Sequence, residues 1–211
     1  MRQALYQSRN VPTVRLSQEV GLSRISRVAA NMGMGNIPSN PSVVLGTFEV
    51  TPLQLTQSFA AFATLGTRPE ARFVTNITDR DGGTVWSQAP QTDRVVDPAV
   101  AFLTTNILQD VVGRGTGTAV RAAGFRGAAA GKTGTTNEEK DAWFVGYSPD
   151  LVVGDEILWD VRPGARPPSG RQRPGLEQSP LANLTLKCYR LFTAALYKRL
   201  ELVSLVPTPK R

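Results

Sequence analysis

Gly131-Lys132-Thr133-Gly134-Thr135-Thr136, then DAWFVGY over 141–147 and LVVG over 151–154, form the stretch whose reading decides the fold. A glycine-rich loop that cradles phosphate is the first reading to test, since it needs G-x-x-x-x-G-K-[ST]. It fails on spacing: position 126 is Arg126, and Gly127 is one residue too close. It fails on order as well, because a phosphate loop precedes a helix and DAWFVGY reads as a strand. The better reading is a strand over Ala128–Thr135, a polar loop from Thr136 to Lys140, a second strand over Asp141–Tyr147 and a third starting at Leu151. Such an antiparallel run places Lys132 and the hydroxyls of Thr133 and Thr135 along one sheet edge. Gly134 there lets a ligand lie close to the backbone. A cation flanked by hydroxyls suits a carboxylate, and a free backbone N–H suits a developing oxyanion. A lone Lys-Thr-Gly triplet equally describes a strand with a glycine and an exposed lysine.

Working outward, the upstream sequence reads as helices. Pro12 sits near the first turn of a helix over Val11–Val20, and Ser23 is the expected cap of the next, which carries Ile25, Val28, Ala29 and Met32 up to Gly33. Thr51 caps a third with Pro52 at its first position, and Asp97-Pro98 opens a fourth through Val112. Between the last two, Phe73–Ile77 and Thr84–Trp86 read as strands joined by an Asp81-Gly82-Gly83 turn. There are no internal repeats. Helices followed by an antiparallel run of strands predict an α+β fold, an antiparallel sheet with flanking helices.

Composition narrows the chemistry. The 211 residues include no histidine and a single cysteine, Cys188, which excludes a Ser-His-Asp triad, His-ligated metals and internal disulfides within the chain. No metal or cofactor is expected. No apolar run approaches the ~18 residues of a membrane span, and MRQALYQSRN does not read as a signal peptide. Action outside the cytoplasm would need another segment to deliver it. The net charge of +7 is uneven: residues 1–154 carry 14 Lys+Arg against 12 Asp+Glu, and residues 155–211 carry 10 against 5. A basic tail is compatible with nucleic acid or anionic lipid, but it lacks interleaved aromatic motifs and long Lys/Arg clusters, so no nucleic-acid partner is expected.

Composition also changes at residue 155. WDVRPGARPPSGRQRPGLEQSP, residues 159–180, holds five of the 15 prolines and no regular apolar period, excluding a long helix or interior strand. Beyond it, Leu184, Cys188, Leu191, Phe192, Ala195, Leu196, Leu200 and Val203 recur at helical spacing. Two regions are therefore expected, 1–154 and a divergent basic tail, 155–211.

Ser8-Arg9-Asn10 is the remaining group with chemical potential. A serine hydroxyl relays protons, and an asparagine amide both donates to and accepts from a substrate amide. Alone, S-x-N recurs by chance. In company it does not: SRNVPTVRL (8–16), LGTFEVTPLQL (45–55), DPAVAFL (97–103), GRGTGTAVR (113–121) and GKTGTTNEEKDAWFVGYSPDLVVG occur in one order. On these stretches the chain resembles the transpeptidase domain of class A penicillin-binding proteins, the bifunctional enzymes of peptidoglycan biosynthesis. The resemblance covers roughly residues 1–154. It implies part of a penicillin-binding transpeptidase (serine beta-lactamase-like) fold and, as ancestral activity, serine-type D,D-transpeptidation: a serine attacks a stem peptide ending in D-Ala-D-Ala, releases D-Ala and passes the acyl group to another stem's amine. Beta-lactams acylate the same serine. Ser8 and Asn10 match the S-x-N motif, which implies a proton shuttle and an amide-orienting group. Lys132, Thr133, Gly134 and Thr135 match K-T-G-T, which implies positive potential, carboxylate binding and, at the Thr135 N–H, half of an oxyanion hole. By resemblance the site is the outer face of the cytoplasmic membrane, in the periplasm or cell wall.

The pattern departs from the family at two places. The S-x-x-K motif that carries the nucleophile and its lysine has no match, since no Ser in residues 1–154 stands three before a Lys. A fragment truncated at both ends is therefore expected, inactive alone. The alternative is a peptide-binding or complementing module that pairs with a separate upstream fragment. The second departure follows Gly154, where Asp155-Glu156 and the proline-rich stretch replace an apolar strand and closing helix. Such a break is what a shifted reading frame produces. Restoring one base in the gene near codon 155 should then regenerate an apolar, family-like strand; a frame that yields none refutes the shift.

Overall fold

A computed structural model describes residues 1–135 and 141–158, the side chains of 141, 142 and 155–158 excepted. The expected loop over 136–140 and the apolar helical spacing over 184–203 lie outside the described residues. Helices α1 (Arg2–Tyr6), α2 (Asn10–Val20) and α3 (Leu22–Asn31) come first, then a 3-10 turn over Pro41–Leu45 and helix α4 (Pro52–Ala63). Four short strands follow, β1 (Thr67–Pro69), β2 (Asn76–Thr78), β3 (Thr84–Ser87) and β4 (Thr92–Arg94), then α5 (Pro98–Arg114) and α6 (Ala119–Ala122). Strands β5 (Ala130–Thr135), β6 (Asp141–Tyr147) and β7 (Val152–Leu158) close the described chain. They pair antiparallel in the order β5-β6-β7, with Lys132 opposite Val145 and Val145 opposite Gly154. The fold is α+β, with α4 and α5 against this sheet.

DAWFVGY is apolar almost throughout because both faces of β6 are covered. Successive strand side chains point to opposite faces. Phe144 packs with Val112, Val120, Phe125 and Ala129 on one side. Tyr147 packs with Leu108, Val111 and Ala130 on the other, beside Phe59 and Phe62 of α4. Its hydroxyl shares a hydrogen bond with Thr105 Oγ1 at 2.9 Å, and Thr105 Oγ1 also lies 3.3 Å from the Phe62 carbonyl oxygen. Burial pushes the Tyr147 phenol up to about 12 against that bond. Gly131 is dictated by space: a Cβ there would stand 2.8 Å from the Val145 carbonyl oxygen and 2.9 Å from Phe144 Cζ.

The helix starts follow local chemistry. Thr51 and Gln54 form a reciprocal capping box, with the Gln54 N–H donating to Thr51 Oγ1 at 3.2 Å and the Thr51 N–H to Gln54 Oε1 at 2.9 Å. Asp97 Oδ1 accepts from the Ala99 N–H at 2.8 Å ahead of Pro98. Two expectations need correction. Ser23 caps nothing: α3 starts at Leu22, and Gly21, at φ +87°, ends α2 and starts α3 in a single residue. The strand expected over Phe73–Ile77 shrinks to Asn76–Thr78. Every residue of β2 and β3 is exposed, and Phe73 is 89% exposed, so no apolar surface rewards a longer period-2 strand. The Asp79 carboxylate holds the turn instead, accepting from the Asp81 and Gly83 N–H groups.

Strand β7 passes residue 154 without a break in pairing, down to Leu158 opposite Asp141. Strands β5 and β7 have no outer neighbour among the described residues. Val100, Phe102 and Leu103 of α5 are all more than half exposed, at 53%, 58% and 60%.

Leu108 is 4% exposed between α5 and β6. Leu108→Ala should lower unfolding free energy by about 2–5 kcal/mol, whereas Val100→Ala on the open side should stay within about 0.5 kcal/mol, both read from urea midpoints at constant m-value.

Candidate active site

The site forms where the corner between α1 and α2 meets the edge strand β5. Helix α1 has only five residues and no side-chain cap, so docking holds it. Arg2 donates to Asp110 Oδ2 at 2.5 Å and also reaches the Asn106 side chain, both on α5. Arg114 bonds the same carboxylate and lies 5.0 Å over the Tyr6 ring. The Arg114 and Arg2 guanidinium groups hold the Asp110 carboxyl below the usual range. After Tyr6 the backbone turns sharply. Ser8 sits at φ +54°, a left-handed conformation uncommon for a residue with a Cβ, while the Arg9 N–H returns to the Ala4 carbonyl at 2.8 Å.

That turn delivers Ser8 to Lys132. Lys132 Nζ donates to Ser8 Oγ at 2.9 Å and to the Thr133 carbonyl at 2.8 Å, across a sequence separation of 124 residues. Both acceptors are neutral, and Lys132 has no ion-pair partner among the described residues. Burial disfavours the cation and pushes Lys132 down to about 8. A lysine poised there is a cation at neutral pH yet can release a proton through the Ser8 hydroxyl. Among the described residues two of its three ammonium protons are placed.

The other expected residues line the same edge. Thr133 Oγ1 lies 2.7 Å from Thr116 Oγ1, in the turn between α5 and α6. Gly134 and Thr135 are exposed at the end of β5, opposite Trp143 and Ala142. A Cβ on Gly134 would stand 3.3 Å from Trp143 Cβ. Among the described residues no strand pairs with the outer edge of β5, where a ligand lying alongside could meet its backbone. Asn10 opens α2, exposed, two residues past Ser8. Its side chain meets neither Lys132 nor Ser8. Sequence reasoning missed Thr116, whose signal was the glycine spacing of GRGTGTAVR. Among the described residues no three His, Cys, Asp or Glu side chains gather as metal ligands.

Residues 1–158 match the family model described as the penicillin binding protein transpeptidase domain. The chain belongs to that family. It is 38% identical over 162 residues to penicillin-binding protein 1A of Aquifex aeolicus (strain VF5), an alignment that takes in 77% of this chain and 22% of the relative. The chain thus spans about a fifth of the length of such relatives. In fold it is similar to the crystal structure of penicillin-binding protein 1A from Haemophilus influenzae, with TM-score 0.75 and 22% identity over 100% of this chain and 35% of that one. The PonA1 protein of Mycobacterium tuberculosis in complex with penicillin V is also similar, with TM-score 0.64 and 24% identity over 73% of this chain and 46% of that one.

The lowered lysine sets a pH window. A 13C-detected titration of the Lys132 Cε should give a midpoint near 8, well under the ordinary 10.5. Ser8→Ala removes an acceptor that favours the charged form and should move the midpoint further down.

Proposed function

We propose that residues 1–154, with β7 carried on through Leu158, are the substrate-gripping half of a D,D-transpeptidase site that cross-links peptidoglycan stem peptides, and that a basic tail follows. The 2.9 Å contact between Lys132 and Ser8 carries this reading. The Ser8 hydroxyl, the half-buried Lys132 cation and the Thr133 and Thr135 hydroxyls then share one edge. The terminal carboxylate of a D-Ala-D-Ala peptide or of a beta-lactam faces Lys132, Thr133 and Thr135. The scissile carbonyl lies along β5, where Gly134 gives clearance and the Thr135 N–H donates to the oxyanion. Ser8 passes a proton between Lys132 and the leaving or entering amine. Asn10 orients the substrate amide. The penicillin V complex of a similar protein supports beta-lactam binding here. The working location is the outer face of the cytoplasmic membrane.

The acyl bond itself needs a nucleophile, and no Ser-x-x-Lys occurs in the 211 residues. A second reading is therefore a complementing module, in which a separate Ser-x-x-Lys-bearing fragment completes the site. Among the described residues the outer edges of β5 and β7 have no partner strand, and this, with the exposed apolar residues of α5, favours it.

On this proposal, fluorescent penicillin leaves no denaturant-stable band on the purified 211-residue chain, and a band appears when a Ser-x-x-Lys-bearing fragment co-purifies. N-acetyl-D-Ala-D-Ala binds the chain reversibly, and Lys132→Met weakens it by about tenfold or more, the scale of one charge-assisted bond. Affinity falls as pH rises through about 8, because the Lys132 cation that attracts the carboxylate is lost. A covalent band on the chain alone would refute the division of labour; pH-independent binding would refute the role of Lys132.

A further inference from the structure

Resting on the carboxylate grip proposed above, we infer that Thr116 is a positioning residue: the Gly115-Thr116 turn clasps the Ser8 corner to β5, and the Thr116 hydroxyl sets the direction in which Thr133 donates. Two contacts carry this. The Thr116 N–H donates to the Tyr6 carbonyl at 3.1 Å, two residues before Ser8. The Thr116 hydroxyl meets that of Thr133 at 2.7 Å. One residue therefore touches both halves of the site, although Ser8 and Thr133 lie far apart in sequence.

Gly115 makes room for the clasp. Its φ of −110° suits any residue, so conformation does not demand glycine. Space does: a Cβ would fall inside contact distance of the Tyr6 carbonyl oxygen and 2.9 Å from Val111 Cα. The Gly117 N–H closes the turn onto the Val111 carbonyl at 2.9 Å.

The hydroxyl pair has a directional consequence. Each hydroxyl owns one proton, so one of the two oxygens accepts. A carboxylate only accepts. Thr133 can donate to it when Thr116 donates to Thr133, and the pair then forms a relay aimed at the ligand. Without the Thr116 oxygen, the Thr133 hydroxyl turns to a nearby backbone carbonyl, as threonines commonly do. Carboxylate recognition suffers, while contacts along the peptide backbone do not.

The test compares the full 211-residue chain with Thr116→Val, Thr116→Ala and Thr116→Ser. Three-bond couplings to Cγ2 report the Thr133 χ1 rotamer without any ligand. NMR titration with N-acetyl-D-Ala-D-Ala and with its C-terminal amide separates carboxylate recognition from the rest. The expected result is one Thr133 rotamer in the parent and the serine variant, and averaging in the valine and alanine variants. Carboxylate-peptide affinity should fall about tenfold in valine and alanine, stay near parental in serine, and leave amide affinity unchanged. A Thr133 rotamer that ignores loss of the Thr116 hydroxyl overturns the inference, as does undiminished carboxylate affinity in Thr116→Val. A parent that binds carboxylate and amide equally overturns the grip itself, and the rotamer measurement still decides the role of Thr116.

Discussion

The site rests on the docking of one short helix. Helix α1 is too short to persist alone, and its place is set by Arg2 and Tyr6 reaching Asp110 and Arg114 on α5. Since α5 packs on β5, the same helix that fixes Tyr6 also backs the strand that carries Lys132. Surface ion pairs contribute little to stability on their own, typically about 0–1 kcal/mol. Here their effect is geometric. They define where the chain stands when it turns at Ser8, and that turn decides whether a hydroxyl meets the lysine.

Local signals made much of the scaffold readable. Thr51-Pro52 and Asp97-Pro98 announce helix starts, because the orphan N–H groups of a first turn want a side-chain acceptor and Pro costs nothing there. The apolar run WFVGY announces a strand covered on both faces, which Phe144 and Tyr147 fulfil in separate clusters. What stayed hidden depends on distance. Strands β1 and β4 pair Thr67–Pro69 with Thr92–Arg94, a match with no local period to betray it. Helix α1 exists by virtue of α5. Ser23 misled because a capping residue type says nothing about the preceding glycine, and Gly21 already served both helices.

The site divides in the same way. Lys132, Thr133, Gly134 and Thr135 lie on one strand, so their sharing an edge follows from sequence spacing. Ser8 was a candidate only by motif; its left-handed φ and its approach to Lys132 required the fold. Thr116 lies in one of the family-like stretches, GRGTGTAVR, but no role attaches to it there, since a threonine between two glycines reads as a turn. Its partner Thr133 and its anchor Tyr6 are distant in sequence, and only their convergence gives it meaning.

The lysine also explains why such a site strains the fold that holds it. Half-buried against a hydroxyl and a carbonyl, with no counter-charge among the described residues, the Lys132 ammonium loses hydration. Its lowered pKa is the signature: between about 8 and 10.5 the unfolded chain binds a proton that the native chain does not. Stability from this group therefore rises with pH across that window, and below it the native state bears the cost of the desolvated cation. A carboxylate docking at the β5 edge would supply the missing charge and relieve that cost. On the proposed carboxylate grip, ligand binding and lysine protonation favour each other, so the group that costs the free fold stability would also be the one that attracts an anionic peptide end.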